Sequence, residues 1–188
     1  MAEPVGDRAG GRAKRGGEEV PRDADRAADT RAMRASILLS DPAELGIGPT
    51  SVRPNVGGLL METGYPDGTA SLVVLGDRTV SLYTSAGGGV IGAGEHGTVW
   101  REGNELLDLT EQVLGRFTPA QGFPMPRAGR VRFHVLTFTG PLTAEAGERE
   151  LADRAHPLSD VFYAAHDVIT AMREIAERPD SDSADGDS

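Results

Sequence analysis

The chain has 188 residues, a formal net charge of −10 and no cysteine. That length suits one domain with a proper core and is short for two. The missing cysteine excludes disulfides, thiolate nucleophiles and cysteine-held zinc. The acidic balance sets the surface against wholesale contact with nucleic-acid phosphates.

Residues 1–35 hold eight basic and seven acidic side chains and almost no large apolar residue. Such a stretch buries too little surface to offset its ordering entropy, so it reads as a disordered charged tail. Lys14 is the sole lysine, a bias that reads as genomic base composition. The N-terminal residues lack the apolar core of a secretion signal. No apolar run approaches the ~20 residues of a membrane span. The expectation is a cytoplasmic protein with no membrane or nucleic-acid partner.

From Arg22 to Leu39 the pattern is weakly helical, with Ala27, Met33, Ile37 and Leu38 as anchors and Pro42 as its stop. Alone such a helix is marginal; it needs a surface to dock on, in this domain or in a partner. Residues 36–49 read as a linker or short helix, and 50–176 as a single folded domain. Gly57 to Thr63 makes a first strand, and Tyr65-Pro66-Asp67-Gly68 a turn. Thr69 to Leu75 is apolar on both faces and reads as a central strand; Arg78 to Ser85 completes an antiparallel meander.

A glycine-rich stretch, Gly87 to Gly94, precedes an expected helix over 95–117. Gly87, Gly89 and Gly92 match the spacing Gly-x-Gly-x-x-Gly after a strand and before a helix, the chemistry of a phosphate cradle. Three details oppose that reading. The preceding strand belongs to a meander, the helix starts beyond Gly94, and Glu111 falls inside the helix where a ribose-binding acid would follow a strand. The ordinary alternative is glycine serving backbone geometry. His96, beside Glu95, is placed as a base or phosphate donor at the loop mouth, or else as an exposed residue of the first helical turn.

Residues 118–129 form a stiff, proline-rich connector; Phe117 just before it and Phe123 and Met125 within it stand among its prolines. With Tyr65 at the hairpin tip they make a candidate interaction surface; the alternative is capping of the core. Arg130–Thr139 is a strand, followed by an edge strand near 142–150. Arg127, Arg130, Arg132 and His134 concentrate positive character in an acidic domain, with Arg132 and His134 on one strand face. They suit a carboxylate, a phosphate or an acidic partner segment, or else pair internally with surplus carboxylates. Leu158, Val161, Phe162, Ala165, Val168, Ile169, Met172 and Ile175 keep helical spacing for the last helix, with Ser159 as its cap. Residues 177–188, five acids and one Arg, read as a disordered acidic tail, with recognition of a basic partner as one use for it.

The expected fold is an α+β two-layer domain: five mostly antiparallel strands in the order βββ-α-ββ-α, packed by two amphipathic helices. In architecture alone this resembles the profilin-like and roadblock-like interaction modules; no motif of either is present, and no residue role is carried over. The four histidines, His96, His134, His156 and His166, lack paired ligand spacing, so no metal is expected, nor any cofactor. The leading functional expectation is a non-enzymatic protein-interaction module whose partner is a protein, a second copy included. The rival is a small-ligand or nucleotide-binding domain, an enzyme in one version, in which Gly87, Gly89, Gly92, Gly94, His96, Arg132 and His134 converge on one anion.

Overall fold

A computed structural model describes residues 23–177. Most of the expected tail, residues 1–22, and its C-terminal counterpart, 178–188, lie outside the described residues.

The described chain is α+β with an antiparallel sheet at its centre. The expected meander is present as β1 (Val56–Tyr65), β2 (Gly68–Leu75) and β3 (Val80–Thr84), and the second pair as β6 (Arg130–Thr137) and β7 (Leu142–Gly147). Two further strands of two residues each, β4 (Gly89–Val90) and β5 (Thr118–Pro119), extend the edges. Seven strands therefore stand where five were expected, in the order β4-β3-β2-β1-β6-β7-β5. Two residues carry almost no periodicity, which is why neither edge is visible in sequence.

Alternation along β1 sends Leu59 and Met61 to one face and Leu60 and Glu62 to the other. The first face carries the larger core. There α2 (Gly97–Gln112) brings Val99, Leu106 and Leu107, and α4 (Ser159–Ala176) brings Val161, Ala165 and Val168. The opposite face is covered as well, and the two-layer expectation is corrected here. Helix α1 (Asp23–Leu39) lays Met33, Ile37 and Leu38 over Leu60, Val73, Leu75 and Leu136. Residues 23–35, expected within the tail, are helical because this face offers the docking surface a marginal helix needs.

Boundaries shift for local reasons. Helix α2 is shorter than the expected 95–117, with 3-10 turns at Ala93–Glu95 and Leu114–Arg116 flanking it. Strand β7 stops at Gly147, whose amide donates to the Glu150 carboxylate at 2.9 Å and so opens the short helix α3 (Glu148–Ala152). Leu158, not Ser159, occupies the cap of α4; Ser159 lies inside the first turn and accepts from the His156 amide.

Candidate functional site

The α1 face of the sheet holds the polar chemistry of the described chain. Glu62 sits mid-strand on β1 with no exposure at all. An ionised carboxylate so placed needs a partner, and α1 supplies one. Arg34 donates through Nε to Glu62 Oε1 at 2.6 Å and through a terminal nitrogen to Oε2 at 2.7 Å. The same guanidinium donates to the carbonyl of Phe123 at 3.0 Å. One side chain thus ties helix, central strand and connector together.

Three more groups surround Glu62. The Ser71 hydroxyl donates to Oε1 at 3.1 Å. Tyr83, across from Ser71 in the β2–β3 register, is buried nearby. His134, opposite Leu60 on β6, brings Nε2 to 3.6 Å from Oε2, too long for a hydrogen bond. The Phe123 ring meets His134 edge-on at 5.4 Å. Burial pushes the Glu62 carboxyl up, but the Arg34 bonds and the neighbouring His134 outweigh it and hold it at about 2. Burial, aided by the Glu62 charge, pushes the Tyr83 hydroxyl to about 12. Glu62 and His134 have no exposed surface through which a substrate could reach them. The cluster is a clamp on α1.

Beside the clamp the same face opens into a notch of about 420 Å³, lined by Pro124, Met125, Arg127, Arg130, Arg132 and Glu145. That volume falls within the ~300–1,000 Å³ of ligand clefts. Register explains the gathering: Arg130 and Arg132 on β6 face Gly147 and Glu145 on β7, and Arg132 also faces Glu62 on β1. Glu145 accepts from Arg130 Nε at 3.0 Å and from Arg132. Burial pushes the Glu145 carboxyl up, and the two guanidinium groups more than reverse this, holding it below its usual value. The internal pairing expected for these arginines therefore exists for two of them. Arg127 is exposed and has no ion-pair partner among the described residues. Three guanidinium groups thus meet one carboxylate, with the half-exposed Met125 on the rim.

The remaining site candidates separate. Gly87, Gly89, Gly92 and Gly94 lie along the β4 edge and the turn after it, and His96 is the exposed residue preceding α2. Four strand spacings, ~19 Å at about 4.8 Å each, separate β4 from β6, so these residues do not converge with Arg132 and His134. Nor do Arg132 and His134 form one open surface, since His134 is sealed beneath Phe123. The glycines answer to backbone demands. A Cβ on Gly94 would fall onto the Arg78 carbonyl oxygen, and Gly88 has φ +92°. The amides of Gly87, Glu95 and His96 already donate to the carbonyls of Thr84, Gly92 and Ala93.

Among the interaction candidates, Phe117 is buried in the larger core and caps it, Phe123 is half-buried on His134, and Tyr65 and Met125 remain exposed. Glu111 has a structural task. It accepts from the Asn55 and Val56 amides at 3.0 and 2.8 Å and from the Asn55 side chain at 2.6 Å, fixing the start of β1. Among the described residues no group of three or more His, Asp or Glu is placed to hold a metal, and no helix is long and apolar enough to cross a membrane.

Sequence reasoning missed the Arg34–Glu62 clamp. The signal was present: a glutamate in an apolar central strand demands a cation, and Arg34 lies among the apolar anchors of α1. No family model, curated protein or solved structure matches this chain.

Proposed function

We propose that this chain is a non-catalytic interaction module that docks an acidic segment of a protein partner in the notch between the connector and strands β6 and β7. The observation that carries the reading is the charge inversion at that one place. Three arginines surround an open recess with a single compensating carboxylate, in a chain whose net charge is −10. Guanidinium groups bind carboxylates through paired, directed hydrogen bonds, and the Met125 and Pro124 rim adds apolar contact. The proline-rich connector meets a partner already stiffened, so little entropy is lost on binding. Sealing of Glu62 and His134 away from solvent favours binding over catalysis for this face.

The test is fluorescence anisotropy with a labelled decapeptide of alternating Asp and Ser, at 50 and 500 mM salt. Saturable binding should weaken steeply with salt, because the contacts are charged and partly exposed. The pair Arg127→Ala and Arg130→Ala should lower affinity at least tenfold, while Arg116→Ala, on the turn after α2, should leave it within twofold. Binding equal in all three proteins would refute the assignment.

A further inference from the structure

Strand β6 runs beneath two recesses, not one. Its even-numbered residues share the α1 face: Arg130 and Arg132 line the notch, His134 lies under Phe123, and Leu136 reaches a second recess. That recess holds about 280 Å³ and is walled by Leu38, Leu39, Phe123, Leu136 and Pro141. The connector separates the two, since Phe123 lines one while Pro124 and Met125 line the other. Leu39 on the wall is 75% exposed, more than any other large apolar side chain among the described residues.

Charge differs between the two recesses. The notch gathers three guanidinium groups. The second recess is edged by Asp41 and by the C-terminal end of α1, a helix with no basic residue in its last turn. A helix C-terminus carries partial negative charge, so an acidic side chain is repelled here and an apolar one is favoured. The two recesses therefore select different side chains of one ligand.

Spacing follows from the strand. Arg132 and Leu136 are four positions apart on β6, or ~13 Å at about 3.3 Å per residue. A ligand must also pass over the connector, whose backbone adds a ridge of ~5 Å. The path becomes ~16 Å, which five extended residues span. Pro124 and Met125 are exposed on that ridge, and Pro124 has no amide to leave unpaired.

We propose that the partner segment carries an acidic residue and, five positions away in an extended stretch, a leucine-sized apolar residue. The first sits in the notch and the second in the recess beside Leu39. The inference rests on the docking reading and adds the rule by which this chain selects among acidic partners. An all-polar acidic segment fills the notch alone and binds more weakly.

Fluorescence anisotropy at 50 mM salt compares two labelled peptides of one composition against the full chain. In the first, a central leucine stands between two runs of four serines, each run ending in two aspartates. In the second, the leucine is moved beside one aspartate pair. The first should bind at least fivefold more tightly, through burial of its leucine. Leu39→Ser, at a position exposed and outside both cores, should reduce that advantage below twofold. Equal affinity for the two peptides, or an advantage unchanged by Leu39→Ser, would overturn the inference; the docking reading stands if Arg127→Ala with Arg130→Ala still weakens both. Absence of binding, or binding indifferent to those arginines, would overturn the docking reading, and the inference with it.

Discussion

Removing the guanidinium from the clamp on α1 gives the sharpest structural prediction. In Arg34→Met the stem and its packing are largely kept, while Glu62 loses the two bonds at 2.6 and 2.7 Å and remains without exposure. Two routes give the magnitude. A carboxyl held at about 2 against an ordinary 4.5 corresponds to about 3 kcal/mol, at ~1.4 kcal/mol per decade. Breaking one side of a buried ion pair typically costs about 3–5 kcal/mol. The loss should fall on α1 first, because its other anchors are only Met33, Ile37 and Leu38. Amide hydrogen exchange at pH 7 should show protection across residues 27–39 dropping about a hundredfold. Amides of α2 and α4, packed on the other face, should keep theirs. Unchanged exchange in α1 would refute the reasoning.

Proton linkage follows from the same pair. The folded-state value lies below the unfolded one, so Glu62 contributes its full stability above pH 4.5 and loses it as pH falls through about 2. Urea unfolding should therefore show a loss between pH 5 and 2 that is smaller by ~3 kcal/mol in Glu62→Gln than in the wild type; equal losses would contradict the assignment. Gly94→Ala should destabilise the chain by about 2 kcal/mol or more by thermal unfolding, because the new methyl meets the Arg78 backbone. Gly88→Ala, open in space but at φ +92°, should cost only ~1 kcal/mol. Glu111→Ala should cost about 1–2 kcal/mol, through two backbone amides left without their acceptor at the start of β1. His96→Ala should change stability by less than ~0.5 kcal/mol, since the ring is exposed and caps nothing.

Sequence periodicity was informative where one rule dominated. The apolar spacing of α4 and the alternation of β6 each follow from burial on one side, and both appear where that spacing put them. The meander in front of the glycine stretch was legible in the same way, and β2 and β3 do pair antiparallel there. Long-range charge pairing was not legible. Arg34 and Glu62 are 28 positions apart, and neither residue alone distinguishes a solvated charge from a buried one. Without that pair α1 looked too weak to order, and the third layer went with it. The arginine notch was half legible. Arg132 and His134 do share a strand face, but the connector covers one and leaves the other on the rim. Which of two neighbours is covered depends on where Phe123 lands, and no local pattern encodes that.

Nuclear magnetic resonance titration of the labelled chain with the Asp-Ser decapeptide is the most direct measurement of where an acidic ligand sits. Perturbed amides should cluster at residues 124–132 and 143–147, together with the side chains of Arg127, Arg130 and Arg132. Perturbations concentrated at Gly87–Gly94 and His96, with the arginine notch silent, would contradict the docking site and restore the glycine loop as the place to look.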